Sequence, residues 1–411
     1  MNNALLARFR KYLYKKLRGP LEGIAKQNYL NPIPTELIVG NVLDTESIVS
    51  NRAFESSPVL KNTPKKILCI LPFTLSMEAG GYKTILRIND FLERKFNAQL
   101  YLCFYPFVDS NIQEKTWLAA YKKIFPLSAP EIIRSEKLKK LEVDVALCNF
   151  WMGAFLLASY NNCKRKFYLV QDLEANFYQG SISTITEYTL SLGFDFLTNS
   201  EAIKQYLLAL YPKSKCYRYF PGVDHDIYKP RNNDKINNRI RVVAYARPSI
   251  PRNCFEILFL VFKNLKEKLG DRLEIFTVGE DFDVNDYGLN GIVTNLGCFK
   301  DIKKLAEFYT TCDIGISLIS TPTFSYQNLE FMSSGLLLVT NDQPGIKDFL
   351  IDGYNAIVCP PIYEEIVKKI IEMASSPEEM KIISERGYLF AKRLNWNDCL
   401  EGVASYISGP L

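Results

Sequence analysis

Two arginines close the apolar run at 240–246: Arg247 in Ala246-Arg247-Pro248, and Arg252 in Arg252-Asn253, just before a helical stretch that begins near Cys254. Guanidinium groups at the carboxyl edge of a strand can clamp a diphosphate, whose charge grows as the bond to it breaks. The plain alternative is a pair of surface arginines beside a turn. The stretch 320–335 also follows an apolar run, and it carries Thr323, Ser325, Tyr326, Leu329 and Glu330 before ending on Ser334-Gly335. Thr323 or Ser325 can cap a helix whose first amides accept a ligand, and Glu330 can take hydrogen bonds from both hydroxyls of a ribose. A capped helix with an exposed glutamate is the bland reading of the same residues.

The first half of the chain offers a second set. Gly80 and Gly81 open a helical stretch after a strand and loop, where backbone amides and the positive helix end can receive a phosphate; a tight turn is the alternative. Asp172 and Glu174 follow another strand. Either carboxylate can orient an acceptor hydroxyl or stabilise an oxocarbenium-like carbon, while Asp172 can equally cap the next helix. The cluster Phe177, Tyr178, Tyr188 and Phe194 can stack on sugars or fill a core. Asp224-His225-Asp226 has the DxD spacing of a metal motif and includes the one histidine. Its place just after Pro221-Gly222 suits a hinge, so no metal ligand is assigned.

These groups need a scaffold, and the pattern supplies one. Apolar runs at 67–71, 100–104, 143–149, 167–171 and 194–199 alternate with helical stretches at 82–92, 113–124, 153–160 and 201–210. The turn residues of Phe220-Pro221-Gly222-Val223-Asp224 and a basic, Asn-rich link at 229–238 interrupt the alternation. It restarts at 240–246, 273–278, 313–318 and 336–340. The reading is α/β: two doubly wound Rossmann-like domains facing a central cleft, with ligands beyond the carboxyl ends of the strands. The expected boundaries are an extension at 1–60, a first domain at 61–222 completed by a C-terminal helix at about 390–411, and a second domain at 223–389.

Composition narrows the class further. With 411 residues, 47% hydrophobic and 23% charged, two ordinary cores are expected and disorder is excluded. The ten cysteines lie mostly in apolar runs with no CxxC pair, as reduced buried thiols do in a cytoplasmic protein. No run reaches the ~18 to 20 apolar residues of a spanning helix. A net charge of +5 lacks the dense basic stripe of a nucleic-acid binder, so no nucleic-acid partner is expected. The excess is local to residues 5–18, where Arg8, Arg10, Lys11, Lys15, Lys16 and Arg18 alternate with Phe9, Leu13 and Leu17. That segment reads as an amphipathic helix for an anionic membrane surface, or as a helix packed on the body with a solvated basic face.

Taken together, Arg247 and Arg252, Gly297-Cys298-Phe299, and Leu329-Glu330 with Gly335 resemble, in this order, the nucleotide-binding half of GT-B glycosyltransferases of the "group 1" retaining family. Within that family, the segments 169–178 and 220–228 resemble bacterial rhamnosyltransferases that build surface rhamnans; the likeness runs from about residue 65 to the C-terminus. The resemblance implies a metal-independent transfer from a nucleotide sugar, with no cofactor and dTDP-rhamnose as the candidate donor. The acceptor it implies is a saccharide or lipid-linked glycan, at the inner face of the plasma membrane. It assigns Arg247 and Arg252 to the diphosphate, Glu330 to the ribose with Ser325, Tyr326 and Leu329 around the donor, and the Gly297 and Cys298 backbone to the base. Gly80 and Gly81 approach the diphosphate from the acceptor-side domain. Many members carry an acid eight residues before the ribose glutamate, where this chain has Pro322, which leaves sugar identity and stereochemistry open. A GT-B epimerase or phosphorylase and a non-catalytic nucleotide-sugar regulator are the competing expectations.

Overall fold

The computed structural model describes residues 54, 60–74, 77, 80–105, 111–230 and 239–409. The basic segment at 5–18, the rest of the 1–60 extension apart from Phe54 and Leu60, and most of the 229–238 link lie outside the described residues. The chain divides into two compact units. Among the described residues, the first holds those up to Pro221 and those from Trp396 onward; the second runs from Gly222 to Asn395. Sequence patterning put the crossing at 222/223 and the return near 390.

The first unit is a parallel sheet of seven strands: β1 (Lys66–Leu71), β2 (Gln99–Phe104), β3 (Glu131–Ile132), β4 (Val143–Cys148), β5 (Cys163–Val170), β6 (Asp195–Thr198) and β7 (Cys216–Arg218). Their order is β3-β2-β1-β4-β5-β6-β7. A strand buried on both faces reads as a continuous apolar run, and β1, Lys-Ile-Leu-Cys-Ile-Leu, is one. Ile67, Cys69 and Leu71 enter one core layer, and Leu68 and Ile70 the opposite one, as the two-residue period of a strand requires. Helices α1 (Gly80–Phe96), α2 (Asn111–Ile124), α3 (Ser135–Leu138), α4 (Trp151–Ser159), α5 (Gly180–Tyr188) and α6 (Glu201–Leu210) connect the strands. Trp117 of α2 is fully buried, with Tyr121 stacked at 5.1 Å and Phe104 edge-on at 4.9 Å.

The second unit is a six-stranded parallel sheet of β8 (Ile240–Ala246), β9 (Leu273–Gly279), β10 (Val293–Asn295), β11 (Ile314–Ser317), β12 (Leu337–Asn341) and β13 (Ile357–Cys359). Its order is β10-β9-β8-β11-β12-β13. Helices α7 (Phe255–Leu269), α8 (Ile302–Tyr309), α9 (Tyr326–Ser333), α10 (Tyr363–Ser375) and α11 (Pro377–Lys392) belong to it. Helix α9 stops where the sequence says it should. Gly335 takes φ +81°, and the amides of Gly335 and Leu336 bond back to the carbonyls of Met332 and Phe331, the left-handed closure that glycine permits. The chain then returns to the first unit as α12 (Trp396–Ser408), whose Leu400, Val403, Ala404 and Ile407 join the core around Ile85 and Ile88.

Four strands escape the sequence pattern: β3, β7, β10 and β13, each of two or three residues. All four lie at sheet edges, β3 and β7 in the first sheet and β10 and β13 in the second; segments this short are fixed by pairing to a neighbour, not by periodicity. Strand β5 also begins earlier than the apolar run at 167–171, in Cys-Lys-Arg-Lys, because Arg165 and Lys166 are buried there.

Candidate functional site

In an open parallel sheet, ligands gather where the strand order reverses, outside the carboxyl ends of the strands. In the second unit that point lies between β8 and β11. The loop after β8 carries Arg247 and, on a short helical turn Pro251–Asn253, Arg252. The loop after β11 leads into α9. The two loops are joined directly, since the Ser320 amide donates to the Arg252 carbonyl at 2.9 Å. Asn341 of β12 fixes the second loop by bonding both the amide and the carbonyl of Ile319, at 2.8 and 2.9 Å. The Nε of Arg247 is buried with no hydrogen-bond partner among the described residues. An unsatisfied buried donor on a permanent cation is costly unless something anionic completes it.

Glu330 lies one turn into α9 and is held by neighbours that sequence reading did not single out. Gln327 donates from one amide nitrogen to Glu330 Oε2 at 3.0 Å and to the Tyr309 hydroxyl at 2.9 Å. The Tyr228 ring stacks on Tyr309 at 6.2 Å, and its hydroxyl bonds the Glu330 carboxylate. Burial first, and then the Glu330 charge, keep both phenols well above the usual tyrosine range, so they stay protonated. The carboxylate is thereby oriented, and an ionised carboxylate offers about four acceptor positions. Glu330→Ala should weaken nucleotide binding by about 1.5 to 3 kcal/mol, roughly 10- to 100-fold, with the fold intact. Calorimetric titration checks this; unchanged affinity in a folded variant would remove the ribose role.

Three assignments need correction. Ser325 is the residue before α9, but its hydroxyl does not cap the helix; it accepts from Ser317 Oγ at 3.4 Å. Thr323 has a buried side chain, and its carbonyl takes Gln343 Nε2 at 2.9 Å. No acidic side chain lies in the first turn of α9, and the positive end of a helix favours an anion. Leu329 is fully buried in the apolar layer with Phe331 and Met332, and its side chain positions the helix. Gly297 was assigned to the base through its backbone, yet its amide donates to Asn295 Oδ1 at 3.0 Å and its carbonyl accepts from Gly279 at 3.0 Å. Cys298, beside it, is exposed, and its amide and carbonyl have no protein partner among the described residues.

In the first unit the order reverses between β1 and β4. Gly80 and Gly81 begin α1 just beyond β1, and Gln171, at the end of β5, donates to the Gly81 carbonyl at 2.7 Å. Asn149 follows β4 and keeps a buried Oδ1 without a partner among the described residues. Glu174 Oε2 accepts the Trp151 amide at the start of α4 at 2.8 Å and the Tyr168 hydroxyl at 3.4 Å. This carboxylate therefore closes a helix end. Asp172 Oδ1 accepts from the next amide, Leu173, at 2.9 Å, just before the helical turn at Glu174–Phe177. Of the aromatic cluster, Phe194 is buried in the core, while Tyr178 receives the Trp151 indole N–H at 3.2 Å. His225 lies within a turn at 224–228, where the Ile227 and Tyr228 amides bond the Asp224 carbonyl.

Two Rossmann-like parallel-sheet units with their loops at the switch points make this an α/β fold of the GT-B class. Residues 240–371 match the model of the WsaF C-terminal domain family. Over 302 residues, 72% of the chain, the sequence is 28% identical to the O-antigen biosynthesis protein RfbC of Myxococcus xanthus, and the alignment spans 23% of that longer protein. Among solved structures, HepE of Anabaena in complex with UDP and glucose superposes with a TM-score of 0.66 and 15% identity, covering 84% of this chain and 99% of that one. A glycosyltransferase from Rickettsia africae superposes with a TM-score of 0.63 and 17% identity, covering 86% and 100%.

Proposed function

We propose that the protein is a glycosyltransferase that moves a hexosyl group from a nucleoside-diphosphate sugar to a saccharide acceptor during assembly of a bacterial surface polysaccharide. The observation that carries this reading is the second unit's switch point. A guanidinium N–H of Arg247 that is buried and unpartnered among the described residues, the N-terminal end of α9 with no acid in its first turn, and an oriented ribose-type carboxylate, Glu330, meet on the loops of adjacent strands. Similarity to an O-antigen biosynthesis protein and to a structure holding UDP and glucose supports it.

In this reading the bond between the anomeric carbon and the diphosphate oxygen breaks as the acceptor oxygen bonds that carbon. Arg247, Arg252 and the α9 amides take up the charge of the departing diphosphate. The acceptor proton passes to that diphosphate oxygen, which leaves the new bond on the original face of the sugar and makes the reaction retaining. Asp172 and Glu174 in the first unit orient the acceptor. Rhamnose is the sugar that the motif resemblance favours, with dTDP-rhamnose the first donor to test and a lipid-linked glycan at the cytoplasmic membrane face as the acceptor.

A preferred donor should raise the unfolding temperature by mass action, about 2.7 kcal/mol at a hundredfold excess over Kd. A screen of dTDP-, UDP- and GDP-sugars reads this directly, followed by nucleoside-diphosphate release with acceptor. Absence of any shift across the panel would overturn the reading. Turnover should also survive EDTA, since the charge of the diphosphate is met by arginines and amides. Loss of activity that magnesium or manganese restores would return Asp224 and Asp226 to the site.

A further inference from the structure

We infer that the carboxylate of Asp281 reads the base of the nucleotide and selects bases with a ring N–H beside a carbonyl, as in uracil, thymine and guanine, over cytosine and adenine. The inference rests on the proposed placing of a nucleotide in the second unit. It begins from Gly297, whose amide and carbonyl are already bonded to Asn295 and Gly279, so this stretch offers the base the amide and carbonyl of Cys298.

Asp281 stands beside that stretch by construction. Asn295 Nδ2 donates to the carbonyls on either side of it, Glu280 at 3.2 Å and Phe282 at 2.8 Å, while Asn295 Oδ1 accepts from Thr277 Oγ1 at 3.1 Å and from the Gly297 amide. One amide side chain thus fixes the loop after β9 against the end of β10. The Asp281 carboxylate then fills the space where a side chain at 297 would project: a Cβ there would overlap Asp281 Oδ1, and φ at Gly297 is +64°. Glycine is required at 297 on both counts. Asp281 itself is exposed, and its carboxylate has no hydrogen bond or ion pair among the described residues, so no neighbour accounts for its placement.

An ionised carboxylate only accepts. Next to the Cys298 amide it forms a donor–acceptor pair, which matches a base edge that presents a carbonyl and then a ring N–H. Uracil and thymine present O4 and N3–H, and guanine O6 and N1–H. Cytosine and adenine reverse this polarity and set a ring lone pair against the negative charge. A base N–H to a carboxylate is a charge-assisted bond, stronger than a neutral one.

Competition binding of UDP, dTDP, GDP, CDP and ADP to the full chain tests this, with Asp281→Asn as the isosteric variant that can both donate and accept. The unmodified protein should bind its best ring-N–H nucleotide about tenfold or more tighter than CDP or ADP, and Asp281→Asn should narrow that ratio to roughly threefold or less. A ratio unchanged by Asp281→Asn overturns the inference while leaving the nucleotide site standing, as does an unmodified protein that prefers CDP or ADP. If none of the five binds, the nucleotide reading of the second unit falls together with it.

Discussion

Arg247→Ala is expected to lower kcat by about 100- to 1000-fold, the usual loss when one preorganised donor to a developing charge is removed. The fold should not suffer. In most proteins, truncating a buried arginine strands a carboxylate or a carbonyl, but here Nε has no partner among the described residues to strand. Removing a donor that folding leaves unsatisfied should leave the unfolding temperature level or slightly higher, the pattern of a site whose cost is recovered only when ligand binds. The side chain is needed after the donor bond begins to break, so affinity for the free nucleoside should change far less than turnover. Arg247→Lys keeps a point charge without the planar fork and should recover only part of the rate. Nucleoside-diphosphate release, measured beside thermal unfolding, separates the outcomes. Normal turnover would place the diphosphate elsewhere, and a fall in stability matching the fall in rate would make Arg247 a structural residue.

Much of the scaffold for this arginine was legible in the sequence because it repeats. Strand β8 and the helix after it stand out as an apolar run followed by an amphipathic stretch, and Arg247 and Arg252 fall in the loop between them, so strand order alone brings them to the switch point. Glu330 was legible for the same reason. What surrounds them was not. Gln327 orients Glu330, and Tyr228, far back in the sequence, bonds it with no periodic signal for the pairing. Ser325 has the composition and position of a helix cap, yet a hydroxyl partner from β11 competes for it. Gly297 looks available to a ligand because a glycine shows nothing of its own bonds; one is taken by Gly279 of the neighbouring strand β9 and the other by Asn295 at the end of β10. Local chemistry can be read along the chain, whereas satisfaction of polar groups is decided by contacts distant in sequence.

Arg165 shows the same limit in the core, and it yields the other large effect. It stands in the basic run Cys-Lys-Arg-Lys, and its side chain is only 1% exposed. Its guanidinium pairs with Asp195 at 2.9 Å, donates to the carbonyls of Tyr406 and Ile407 at 2.9 Å each, and lies 4.7 Å from the centre of the Phe167 ring. It thus joins β5 and β6 to the last turn of α12, where a cation is also favoured by the helix dipole. Arg165→Ala should destabilise the first unit by about 3 to 5 kcal/mol, because it leaves a partly buried carboxylate and two helix-end carbonyls without their donor. At roughly 2 to 4 °C per kcal/mol for a unit of this size, unfolding should move down by about 6 to 20 °C. The paired change Arg165→Met with Asp195→Leu removes the stranded charge and should recover part of the loss, but not the portion due to the carbonyls of Tyr406 and Ile407. Hydrogen exchange locates that residue of instability: protection in 396–408 should drop in both variants, while α9 and the switch-point loops of the second unit keep theirs. A loss spread evenly over both units, or full recovery in the double variant, would mean that Arg165 acts through its charge pair alone and does not hold the C-terminal helix.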